Sequence, residues 1–337
     1  MENKNRLFKI LLSNILLFIM LFSINCSKKT SINELTKVKV GMMFIPNVQF
    51  APFYVALDKG YYAEVKLDVT FDFSNPMDAI QFVGIGRFDF VIGDGEQVII
   101  ARDKGLPIRY VLSIYSKYPV GIASLPETGI NRPPDLIGKT IGVPDYYGAS
   151  YVGLKAFLNK TNITESETNI ITIGFTQAAS LNQRRVDAAV VYLNNTPVQI
   201  RSAKQELSLI PLHQYVSLVS AGVITNDNMI KAYPDIVMKF VQATLKGLNF
   251  VKNNPAQALE ICFKYIKEGA DSRDIQYEVL KESIKLYENE YTRAHGLGFS
   301  DSTTWENSQT VLFNLKLVKQ KQEVDFFYTN RFLQSLR

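Results

Sequence analysis

The run Ile45-Pro-Asn-Val-Gln-Phe-Ala-Pro-Phe-Tyr-Val-Ala56 follows a short apolar stretch, Val38 to Phe44, and leads into a helix-like segment ending Asp58-Lys59-Gly60-Tyr61. Apolar bulk, a proline at each end (Pro46, Pro52) and two amides between them (Asn47, Gln49) suit a loop at the carboxyl end of a strand. That is where open α/β sheets bind ligands. The same residues also suit a strand, a turn and the buried start of an amphipathic helix, so alone they leave the function open.

Outward from this run, strand and helix patterns alternate. Strand-like stretches at 37–44, 67–73, 88–92 and 108–115 are rich in Val, Ile, Phe or Tyr, with helix-like segments near 51–60, 76–85 and 95–105. The rhythm restarts with strands at Lys139–Val143, Asn169–Ile173 and Val186–Tyr192 and helices near 148–160, 176–183 and 195–205. Such alternation predicts βα units around mostly parallel sheets. After about Val223 long helical stretches follow, roughly 234–253, 255–268, 272–288 and 302–318. The expected architecture is an α/β protein of two lobes, 37–117 with 224–337 and 118–223, with crossovers at 115–120 and 218–225. The helical C-terminal tail packs on the first lobe. A single larger sheet or a separate C-terminal helical domain are the alternatives.

The first 25 residues place Lys4, Arg6 and Lys9 before thirteen uncharged, mostly apolar residues, Ile10 to Phe22. A membrane-spanning helix needs about 20 apolar residues, so residues 1–25 read as a signal peptide and the protein as exported. Cys26, directly after it, resembles the lipidated cysteine of a bacterial lipobox, although Asn25 departs from the small residue usual there. Lipidation at Cys26 would anchor the chain to a membrane through the polar tether 26–36, facing the periplasm or the cell exterior. Plain cleavage and a retained anchor are the alternatives. The other cysteine, Cys262, sits in an apolar helical run and reads as a buried free thiol. The formal charge of +5 falls to +3 once the three bases and one acid of residues 1–25 are set aside, and no block of five like charges occurs. Nucleic acid is therefore not an expected partner.

In a two-lobed binder the ligand lies between the lobes, at strand ends and helix starts. Asn47 and Gln49 offer amides that donate and accept, suited to a heterocycle's mixed edge, while an Asn in a tight turn also caps its own backbone. Tyr54 lies on the helix that follows. Asp94-Gly95-Glu96 opens a helix after a strand; capping accounts for Asp94, which leaves Glu96 as the carboxylate for a ligand amine, ring N–H or hydroxyl. Tyr115, Tyr118, Tyr146, Tyr147 and Tyr151 gather at the first crossover and the start of the second lobe's first helix, where stacking on a flat ring suits them. Tyr192, Asn194 and Asn195 close a strand ahead of Pro197, as site residues or as a helix cap.

Together the opening run, Gly95-Glu96-Gln97, Ala101-Arg102, Tyr115 to Pro119, Tyr147-Gly148-Ala149-Ser150 and Tyr192 to Asn195 resemble the vitamin-binding branch of the periplasmic solute-binding proteins. That branch includes binding proteins for riboflavin and for thiamine's pyrimidine precursor. The resemblance implies the two-lobed periplasmic-binding-protein fold and a monomeric receptor that hands a flat vitamin to an ABC importer permease, with no cofactor, metal or catalysis. The asparagine pair matches the riboflavin side better. Two rivals stand beside it. One is a pyrimidine synthase of the same fold, which uses a histidine and a cysteine-rich motif with iron, where this chain has only His213, His295 and no cysteine cluster. The other is a surface lipoprotein with a macromolecular partner.

Overall fold

The alternating pattern is realised as two five-stranded sheets in the computed structural model, which describes residues 35–266 and 272–334. Residues 1–34, on which the expected signal peptide, Cys26 and most of the expected tether fall, lie outside the described residues. The first sheet has the order β2-β1-β3-β10-β4, built from β1 (Thr36–Met42), β2 (Leu67–Asp72), β3 (Phe90–Asp94), β4 (Ile108–Ser113) and β10 (Ala221–Asn226). The second has the order β7-β6-β8-β5-β9, from β5 (Val120–Ser124), β6 (Thr140–Val143), β7 (Asn169–Thr172), β8 (Ala188–Tyr192) and β9 (Ser208–Pro211).

The two sheets share one plan. In the first, β1 runs parallel to β3 with Val40 opposite Phe90, and β10 runs antiparallel between β3 and β4, Val223 facing Ile92 and Leu112. In the second, β6 is parallel to β7 and β8, and β5 is antiparallel between β8 and β9, Ile122 facing Val190 and Ile210. Each antiparallel insert is the strand that has just crossed from the other sheet: β5 arrives over 114–119 and β10 over 212–220. The expected crossover at 218–225 and the lobe boundary at 223/224 therefore cut through β10, all of which belongs to the first sheet. Gly222 in β10 leaves room for a neighbouring ring, because a Cβ there would lie 2.1 Å from the Tyr110 hydroxyl. Residues 88 and 89 precede β3, whose buried run Phe-Val-Ile-Gly shows the near-continuous apolar character of a strand covered on both faces.

The helical tail packs on the first sheet, as expected. Pro234–Asn253 crosses the helix Ala51–Asp58 and stacks Phe240 on Phe90 at 4.1 Å and on Tyr62 at 5.3 Å. Such aromatic pairs add about 0.5–1.5 kcal/mol each beyond burial. At the crossing, a Cβ on Gly247 would sit 2.1 Å from the Pro52 carbonyl oxygen, so only glycine allows this approach. On the other face Trp305, fully buried, stacks on Tyr328 and Phe327 and meets Tyr110 edge-on. Buried Arg102 ties the helix Gly95–Asp103 to the exit of β10 through Asp227 (3.1 Å) and to the carbonyl of Ile108 (2.6 Å). Charge-assisted, multidentate contacts of this kind hold an element in register as well as in place.

Candidate functional site

The strand ends of both sheets converge on one cleft. After β1 the chain makes a single 3₁₀ turn, Val48–Phe50, capped by the Asn47 side chain, which accepts the N–H of Gln49 at 3.0 Å. Asn47 is thereby used locally. Its cap sends the Gln49 side chain across to the second lobe, where Gln49 Oε1 accepts from Asn195 Nδ2 at 3.2 Å. After β3 the Gln97 side chain returns to accept the N–H of Asp94 at 3.0 Å, while the Asp94 carboxylate accepts from the Tyr192 hydroxyl at 3.0 Å. Asn194 donates to Ser283 at 2.8 Å and to the Tyr115 hydroxyl at 3.4 Å. The last residue of β8 and two of the three that follow it thus clasp the first lobe and its tail.

The cleft between the lobes encloses a cavity of about 140 Å³. Its walls are largely apolar and aromatic: Met43, Phe44, Phe50, Phe53, Ile92 and Ile114 from the first lobe, with Tyr115 and Tyr192. Gln49, Asp94, Gln177, Asn195 and Thr196 supply the polar groups. Phe44 meets Phe175 of the second lobe edge-to-face at 4.8 Å.

Of the residues expected from the sequence, Gln49, Tyr115, Tyr192 and Asn195 line this cleft. Asn194 lies behind them, buried against Tyr115 and Ser283. Tyr54 is a core residue, stacked on Tyr265 at 4.8 Å and 5°. Tyr118 is buried and donates to the Ala149 carbonyl at 2.7 Å. Tyr146 is about half exposed and donates to the Ile170 carbonyl, and Tyr147 precedes the helix Gly148–Lys160. Glu96 is fully buried, and neither of its carboxylate oxygens has a partner. It is absent from the cleft wall, and Asp94, assigned to capping by the sequence, stands there instead. The apolar wall residues carried no distinguishing signal, whereas Gln177, the first residue of a helix after β7, could have been found by the strand-end rule.

The two acids perturb one another. Burial, then the charge of Asp94, pushes the Glu96 carboxyl well above its usual range. Burial raises Asp94 too, to about 6, against the opposing hydrogen bond from Tyr192. Within the pair the proton resides on Glu96, and Asp94 is the ionised member at neutral pH. Burial lifts Tyr115 to about 12, moderated by Ser283, Gln49 and Asn194, so it is a neutral hydroxyl. His213 lies on the second crossover, its imidazole held low by burial and by Lys117; His295 ends the helix Glu290–His295, bonded to the Tyr291 carbonyl. Neither histidine lines the cleft.

A family model described as NMT1/THI5 like matches residues 47–258. The chain is 32% identical to the riboflavin-binding protein RibY of Chloroflexus aurantiacus, over 89% of this chain and 86% of that one. It is 29% identical to a formylaminopyrimidine-binding protein of Halalkalibacterium halodurans, over 86% and 89%. Its structure superposes on the ligand-binding component of an ABC-type import system from Staphylococcus aureus with a TM-score of 0.67 at 16% identity, covering 89% of this chain and 98% of that one. With a family model across most of its length and a relative above 30% identity aligned almost end to end, the chain belongs to the NMT1/THI5-like family, built on the two-lobed α/β fold of periplasmic binding proteins.

Proposed function

We propose that the protein is an extracytoplasmic receptor of an ABC importer that captures a flat heteroaromatic vitamin between its lobes, riboflavin first and a thiamine pyrimidine precursor second. The carrying observation is the cleft itself, whose aromatic and apolar walls leave only a few polar groups drawn from both lobes. A ring stacks on such walls while its edge meets Gln49, Asp94 and Asn195. The likeness to a riboflavin-binding protein supports the ranking. A synthase reading would call for a histidine at the reacting centre, and both histidines of the described residues lie elsewhere. Titration of riboflavin with the purified protein is expected to quench the flavin's fluorescence, through stacking on tyrosine. Asn195→Ala should weaken binding by about 1–3 kcal/mol, the usual result of removing a buried polar partner. Calorimetry that detects neither riboflavin nor the aminopyrimidine at millimolar concentration would rule out the vitamin reading.

Membrane attachment through Cys26 belongs to the same proposal. It rests on the lipobox-like placement of that cysteine after the apolar segment. Cells fed a palmitate analogue should label the wild-type protein and leave Cys26→Ser unlabelled. Equal labelling of the two would remove the anchor from the proposal and leave ligand capture standing.

A further inference from the structure

Asp94 and Asn195 line the cleft from opposite lobes, and each keeps one buried side-chain oxygen, Oδ1, without a partner. The other atoms of both groups are committed. Asp94 Oδ2 accepts from the Tyr192 hydroxyl, and Asn195 Nδ2, on a residue only 7% exposed, donates to Gln49. What remains free in both is an acceptor. The carboxylate of Asp94 is the firmer case, because an ionised carboxyl presents an acceptor whichever way it turns.

A buried acceptor without a donor loses its hydration and gains no hydrogen bond in exchange. A ligand that brings an N–H there recovers this cost, whereas one that brings another acceptor or an alkyl group does not. Sites built to hydrogen-bond a substrate N–H or O–H discriminate against analogues lacking it far more strongly than apolar pockets discriminate by size. Among the described residues that line the cleft there is no Lys, Arg or His, so an anionic ligand would meet Asp94 uncompensated. Asp94 terminates β3, flanked in its sheet by β1 and β10, with Ile92, Ile114 and Phe50 on the walls around it.

We propose that Asp94 is the specificity-determining residue of the cleft: it accepts a hydrogen bond from a ring-edge N–H, selecting uncharged heterocycles with an imide or amine donor over N-alkylated or anionic ones. This rests on the vitamin-binding reading above and deepens it.

The test compares riboflavin with 3-methylriboflavin, in which a methyl replaces the imide hydrogen and the rest of the molecule is unchanged. The wild-type protein should bind the methylated flavin at least tenfold more weakly. Asp94→Ala should weaken riboflavin at least tenfold and bring the two flavins within threefold of each other. Asp94→Asn, which keeps an acceptor and the size of the side chain without the charge, should retain part of the preference and guards against a folding defect in the alanine variant. Equal binding of the two flavins by the wild type, or an unchanged ratio in Asp94→Ala, overturns the role of Asp94 while flavin capture stands. Failure of the wild type to bind either flavin overturns both.

Discussion

Gly247→Val is expected to destabilise the protein by about 3 kcal/mol, at the upper end of the usual cost of overpacking, and to loosen ligand binding with it. The added Cβ would sit 2.1 Å from the Pro52 carbonyl oxygen and 3.0 Å from the Ala56 Cβ. Side chains can rotate out of a clash, but a helix carbonyl cannot. The helices Pro234–Asn253 and Ala51–Asp58 must therefore separate, and the second of them carries Phe53 and directly follows Gln49 and Phe50 on the cleft wall. At about 2.1 cal/mol/K per residue, roughly 300 folded residues give about 0.6 kcal/mol/K, so the melting temperature should fall by about 5 °C. Gly247→Ala should fall between the two. A Gly247→Val protein that melts within a degree of the wild type would show that the crossing is not the constraint described.

A second large effect is expected in the pH dependence of stability. Glu96 titrates well above 4.5 when folded, first because it is buried and second because Asp94 is charged. Unfolded, it titrates near its ordinary value. Between those limits the folded state holds a proton that the unfolded state has released, so stability is full below about pH 4.5 and falls as pH rises through the neutral range. Asp94, also raised, acts with the same sign. His213, held low by burial, acts with the opposite sign, losing stability as pH falls. Comparison with Glu96→Gln isolates Glu96, since the other groups are common to both proteins. The variant should show the flatter melting profile from pH 5 to 8 and be the more stable of the two at pH 8. Parallel profiles would mean that the Glu96 carboxyl is not held protonated by the fold.

The sequence made the rhythm of the chain readable where a strand carries its own apolar run and a helix start follows. This holds for β1, β2, β3, β4, β6, β7 and β8. It did not reveal β5, β9 and β10, whose segments Val-Gly-Ile-Ala-Ser, Ser-Leu-Ile-Pro and Ala-Gly-Val-Ile-Thr-Asn carry the glycine, serine and proline of loops. β5 and β10 owe their conformation to neighbours on both sides, so the local sequence need not favour it. At the cleft, Gln49, Tyr192 and Asn195 stood out because they are polar side chains at strand ends, where open α/β sheets bind ligands. The choice between Asp94 and Glu96 was different in kind. Side chains two positions apart at a helix start point about 200° from each other, so one faces the cleft and the other the interior, and composition cannot decide which. Phe44, Phe50 and Ile92 were invisible as wall residues because an apolar side chain at a strand end reads the same whether it meets the core or a ligand.

The insertion of β10 between β3 and β4 sets the order in which the lobes can be completed. Every strand of the second sheet lies within residues 120–211, so that sheet can close as soon as Pro211 has emerged from a ribosome or an export channel. The first sheet begins some 80 residues earlier, yet it waits for Ala221. Until then β4 has no strand beside it and β3 is an open edge, a template for pairing with another chain. The lobe that is begun first is thus finished last. Since Asp94 closes β3 and Ala221 opens β10, the two sides of the cleft floor meet only at that final step, and the interval between residues 94 and 221 is when a nascent chain is most exposed to aggregation and most in need of a holding chaperone.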